Sequence, residues 1–124
     1  MKFIDSEHKE LTVIDCNHKE LSTSITPVPR RLKEARIIVG ISQKKLGIVA
    51  GMNEFSASAR MNQYETGKHI PDFLTLKRIA KVLSVPVVYF YAEDDMLAEF
   101  LFLYEKLNKE AKKQVLQFCK DLSQ

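Results

Sequence analysis

Apolar residues recur at helical spacing over most of the chain beyond residue 29. Leu32, Ala35 and Ile38 or Val39 form a first stripe, which Gly40 ends. Leu46, Val49 and Ala50 form a second, behind Ser42, whose hydroxyl is suited to cap the helix. A third helix, from about Phe55 to Glu65, is polar over most of its surface, with Met61 and Tyr64 as anchors to a core. Gly67 suits the left-handed cap at its end. Asp72 is a good cap for a fourth helix over 73–83, with Leu76, Ile79, Ala80 and Leu83 inward. Pro86 opens a fifth, short helix over 87–91, and two more are expected over 94–107 and 109–122, split at Asn108. The pattern predicts an all-α chain: an N-terminal arm over 1–27, five helices over 28–92 and two C-terminal helices over 93–124.

The arm has an unusual pattern. FIDSEHKELT at 3–12 is followed directly by VIDCNHKELS at 13–22, with six of ten positions identical. Ten residues are too few for a solenoid repeat, and duplication of a short coding stretch accounts for the similarity. Asp5 with His8 and Asp15 with His18 are potential ligands on a segment with no fixed geometry, so no metal site is expected there. Thr26-Pro27-Val28-Pro29 then marks the boundary and suits a helix start just after it.

The sixth helix is apolar on more than one face, through Leu97, Phe100, Leu101, Phe102, Leu103, Tyr104 and Leu107. The seventh adds Val115, Leu116, Phe118 and Leu122. So much apolar surface outside a complete bundle calls for a partner. A two-fold homodimer supplies one, with Leu97, Phe100, Leu101, Tyr104 and Leu116 as candidate contacts. The alternative is that both helices fold back on the five-helix core.

Composition changes this picture little. The chain has 124 residues, 45% of them apolar, and no tryptophan. No apolar run approaches the roughly 20 residues of a membrane span, and residues 1–10 lack the apolar core of a signal peptide. A cytoplasmic protein without membrane contact is expected. Cys16 and Cys119 have no neighbouring cysteine and are expected to be free thiols.

Charge changes it more. The net charge of +3 is unevenly spread. Residues 30–91 carry eleven Lys or Arg against four Asp or Glu, a net of +7, while 1–29 and 92–124 each carry −2. The positive segment is the one that contains the two helices around Gly51. A short helix, a glycine turn and a second helix with polar tips form the unit that lays a helix in the DNA major groove. Asn62 and Gln63 have amides suited to adenine, Arg60 has a guanidinium suited to guanine or phosphate, and Ala59 has a methyl for thymine. Ser56 and Ser58 add hydroxyls. Lys44, Lys45 and Lys68 supply sequence-independent attraction to phosphates.

At these residues the chain resembles the Cro/phage-repressor helix-turn-helix family, also called the Xre family. RLKEARIIVGISQKKLGIVAG and YETGKHIPDFLTLKRIAKVLSVPVVYFY carry the likeness over about residues 30–91. GISQKKLGIVAGMNEFSASARMNQYETGKHIPDF is similar to a narrower group, the controller proteins of restriction–modification systems that have a C-terminal helical extension. The chain departs from the family pattern by about four extra residues between Gly51 and Gly67, around Asn53 to Ser56. Counted back from Gly67, the resemblance implies base contacts at Ser58, Ala59, Asn62 and Gln63, a phosphate contact at Gln43 and a backbone contact at Lys68. It implies a five-helix Cro/phage-repressor-like domain, a homodimer on a near-palindromic double-stranded operator, and RNA polymerase as a candidate partner when such a regulator activates.

A rival reading keeps the DNA binding but makes the chain an antitoxin or phage-type repressor that holds a partner protein with its C-terminal helices. An adaptor without DNA affinity is a further alternative. An enzyme is not expected, since no phosphate-binding glycine loop, HExxH pattern or Ser/His/Asp arrangement in a suitable context occurs. No cofactor is expected either.

Overall fold

In the computed structural model, which describes residues 25–124, six α-helices and one 3-10 helix follow one another with no strand among the described residues. They are α1 (Val28–Val39), α2 (Gln43–Val49), α3 (Ala57–Thr66), α4 (Phe73–Leu83), the 3-10 helix (Val87–Tyr91), α5 (Asp95–Tyr104) and α6 (Lys109–Leu122). The all-helical expectation holds. The tandem repeat, with its Asp and His pairs and Cys16, lies outside the described residues.

Helix starts follow side-chain capping. Ser42 accepts from the Lys45 amide, Asp72 from Thr75, Asp94 from Leu97 and Asn108 from Ala111. Each satisfies one of the backbone N–H groups that a helix leaves unpaired in its first turn. α1 begins at Val28, earlier than its two prolines suggest, with Pro29 inside the first turn. A missing N–H costs nothing there, because that group has no helical partner anyway.

One core joins the elements. Leu32 and Ala35 of α1, Leu46 of α2, Met61 of α3, Leu76 and Ile79 of α4, and Tyr89 and Phe90 of the 3-10 helix are buried in it. Burying each of the leucines contributes about 1.5–3 kcal/mol. The four inward positions expected for α4 are all buried. Two other expectations are corrected. Val49, Ile38 and Val39 are exposed, because they lie on the outer side of the last turns of α2 and α1, while Ala50 beside Val49 stays in the core. The short fifth helix lies where expected, as a 3-10 helix that packs Tyr89 and Phe90 edge to face at 5.7 Å. The sixth helix stops at Tyr104, and residues 105–107 form a turn.

The core continues into α5. Ala98 is fully buried, and Leu101 and Phe102 pack against the cluster from one side of the helix. Arg31 makes the second connection. It is completely buried, and its guanidinium donates to the Ala92 carbonyl at 2.7 Å, the Glu93 carbonyl at 3.2 Å, Asp95 at 2.9 Å and Glu34 at 3.0 Å. Glu34 also accepts the Tyr89 hydroxyl at 2.9 Å. Burial, reinforced by the Glu34 carboxylate, pushes the Tyr89 phenol well above its ordinary pKa. In contrast, α6 carries no buried residue.

Candidate nucleic-acid interface

α2 packs on α3 more extensively than any other two helices pack. Gly47 makes this possible. A Cβ at that position would lie 2.8 Å from the Ala57 Cβ and 3.2 Å from the Ala57 carbonyl oxygen. The absence of a side chain lets the first turn of α3 sit against the middle of α2. Gly51 then takes φ +102° in the connection, a conformation that a side chain disfavours.

The connection is long, and its shape comes from Asn53. The Asn53 side chain accepts the Phe55 amide at 2.8 Å, and its carbonyl accepts the Ser56 amide at 3.1 Å. This Asx turn delays α3 until Ala57, two residues later than the sequence suggests. Phe55 consequently stands in the turn, 92% exposed, and Ser56 is the half-buried cap position, its hydroxyl donating to the Asn53 carbonyl at 3.4 Å.

At 100° per residue, the buried Ala57, Met61 and Tyr64 define the inner side of α3. Ser58, Ala59 and Asn62 are exposed on the outer side, and Gln63 is half-buried beside them. These are the four positions where base contacts were expected. Arg60 is exposed as well, but it lies on the flank of α3 that faces α4. Lys44 is exposed in the first turn of α2, and Lys68 is exposed just after the Gly67 cap.

The opposite flank of α3 is held by an ion pair. Arg36 of α1 grips Glu65 through Nε and through Nη2, the latter at 3.1 Å, and also donates to the Ile41 carbonyl at 3.0 Å. The Gln43 amide donates to Glu65 at 3.0 Å and to Asn62 Oδ1 at 3.3 Å. Glu65 is thus held within the chain, by Arg36 and Gln43. Gln43 sits at the start of α2 with its amide tied to α3, so the residue expected at a phosphate also orients Asn62. An amide oxygen has two lone pairs, and Asn62 Oδ1 retains one for a base.

The five residues expected at a dimer contact divide between two environments. Leu97, Phe100 and Leu116 are 48%, 43% and 55% exposed. Tyr104 is half-buried and stacks on Phe100 at 5.7 Å, while Leu101 packs on the chain's own core. Exposed Met96, Leu103, Phe118 and Leu122 extend the apolar surface of α5 and α6. Cys119 is a free, exposed thiol. Among the described residues no three His, Cys, Asp or Glu side chains converge as metal ligands, and no helix is long and apolar enough to cross a membrane.

Sequence reasoning did not single out Arg31, Arg36 or Arg78. The first two stand at spacings that read equally well as a solvated basic face.

A helix-turn-helix unit buried on one side and polar on the other, with only helices around it among the described residues, defines the fold of a helical regulator. The crystal structure of the transcriptional regulator BswR is similar to this chain with a TM-score of 0.71 and 48% sequence identity, over 76% of this chain and 93% of that one. The chain belongs to the family of that transcriptional regulator. No protein-family model and no curated protein matches it.

Proposed function

We propose that the chain is a sequence-specific, double-stranded DNA-binding transcriptional regulator that works as a homodimer. The observation that carries the reading is the outer side of α3, where Ser58, Ala59, Asn62 and Gln63 stand together on a helix whose other side is fixed in the core. Asn62 and Gln63 read adenine, and the Ala59 methyl meets thymine. The Gln43 backbone N–H at the start of α2, with Lys44 and Lys68, contacts the phosphate backbone, Arg60 contacts guanine or a phosphate, and Ser56 supports the entry to the helix. The net charge of +7 over residues 30–91 provides the attraction that any such interface needs.

Dimerisation is supported by α6. It is a 14-residue helix with no buried residue, and Leu116, Phe118 and Leu122 face solvent. A single helix of that length is marginal in water without packing. A second copy of α5 and α6 covers this surface, with Leu97, Phe100, Tyr104 and Leu116 at the contact. Two copies of α3 then face adjacent major grooves about one DNA turn apart and read a near-palindromic operator. Residues 28–92 form the DNA-binding part and 93–124 the dimerisation part. The resemblance to Xre-type controller proteins supports restriction–modification genes as the regulated set and RNA polymerase as a partner during activation.

Selection of bound sites from random duplex DNA, with the mass of the complex measured alongside, tests the reading. A near-palindromic consensus bound by a dimer is expected. No enrichment, or binding by a monomer to a single half-site, overturns it. The location of that consensus upstream of a restriction or methyltransferase gene, rather than a toxin gene, tests the narrower assignment.

A further inference from the structure

A cleft of about 290 Å3 opens beside α3, between the turn that precedes it and α4. Its polar lining comes from Asn53, Ser56, Arg60, Tyr64, Thr75 and Arg78. Arg60 and Arg78 are both exposed, and neither guanidinium makes a hydrogen bond or ion pair among the described residues. The Asp72 carboxylate is within electrostatic reach of Arg78, and its Oδ1 caps α4 through the Thr75 amide. Two cations, three hydroxyls and an amide around one opening form a site for an anion.

The location of the cleft indicates which anion. A helix with its side chains is about 10–12 Å across, and the major groove is about 12 Å wide. A helix lying in the groove therefore has a phosphodiester strand along each flank. On one flank of α3 stands Gln43, at the start of α2. On the other stands the Arg60–Arg78 cleft. We propose that this cleft receives a backbone phosphate of the DNA strand opposite the one met by Gln43, with the Arg78 and Arg60 guanidinium groups as donors. Asn53 and Ser56 belong to the Asx turn that delays α3, so this turn builds one wall of the cleft. Arg60 is thereby a phosphate contact and not a guanine contact.

The proposal rests on the DNA-binding reading, and its test separates the two. The wild type and Arg78→Gln are titrated with the selected operator over a salt series, and with operators that carry one uncharged methylphosphonate per half-site. Arg78→Gln should lower the slope of log affinity against log salt by about one per subunit. One methylphosphonate position should weaken the wild type more than Arg78→Gln, and Arg60→Gln should show a reduced sensitivity at the same position. Arg78 is exposed, so the variant is expected to keep the wild-type circular dichroism and urea midpoint; Arg60→Gln provides an independent reading if it does not. An unchanged slope with the same methylphosphonate profile in all three proteins overturns the cleft assignment while leaving the regulator reading intact. Inorganic phosphate that stabilises the wild type and not Arg78→Gln, with DNA binding equal in both, overturns it in favour of a small free anion. A wild type that enriches no DNA overturns both.

Discussion

Arg31 Nη2 lies 2.9 Å from Asp95 Oδ1, and this contact ties the first turn of α1 to the first turn of α5. The two residues are 64 positions apart, yet between them they fix where the C-terminal helices leave the helix-turn-helix unit. A buried guanidinium is stable only while all its donors have acceptors, and here the Ala92 and Glu93 carbonyls and the Glu34 carboxylate complete the set. Arg31→Met removes one partner and leaves the acceptors facing an apolar group. A loss of about 3–5 kcal/mol in urea unfolding is expected. A loss below about 1 kcal/mol, the range of exposed ion pairs, would show that the network does not hold α5.

Gly47→Ala probes the α2–α3 contact. The added methyl meets Ala57 at 2.8 Å, so one of the helices must move. Overpacking of this kind costs about 1–3 kcal/mol. Because α3 carries the reading face, operator affinity should fall by more than the unfolded fraction explains. Denaturation and DNA titration on the same sample compare the two losses.

Gln63→Ala should cost roughly 1–3 kcal/mol on the operator and relax selection at one base position per half-site. Lys68→Ala should instead weaken specific and random DNA by similar factors, as phosphate contacts do. If Gln63→Ala also weakened both equally, direct readout by that residue would be wrong.

Leu116→Glu places a charge on the exposed apolar face of α6. The monomer fold should survive, since Leu116 takes no part in the core. Mass measurement is expected to give a monomer, with operator affinity lost and affinity for a single half-site retained.

Tyr89 gives a pH signature. Its folded-state pKa lies above the ordinary value, through burial first and Glu34 second. The folded state therefore keeps a proton that the unfolded chain releases, so the contribution to stability is complete below about pH 10 and declines as the pH rises past it. The urea midpoint of the wild type should fall more steeply between about pH 9 and about pH 11 than that of Tyr89→Phe. Parallel curves would place the titration elsewhere.

The helices are legible in the amino-acid sequence, because their signals are local. Ser42, Asp72, Asp94 and Asn108 each cap a helix through a backbone amide three residues away, and such spacing is visible in the chain. The inner side of α4 and the anchoring roles of Met61 and Tyr64 follow from helical periodicity in the same way. Relationships between residues far apart along the chain arise only in the folded protein. The exposure of Val49 and Val39, the burial of Arg31, the Arg36–Glu65–Gln43 chain that orients Asn62, and the placing of Arg60 and Arg78 along one cleft come from how helices cross, and the 3.6-residue period carries no information about crossings. The start of α3 lay between these cases. Asn53 was visible in the sequence, but only its closed Asx turn shows that the helix waits until Ala57 and that Phe55 is left in solvent.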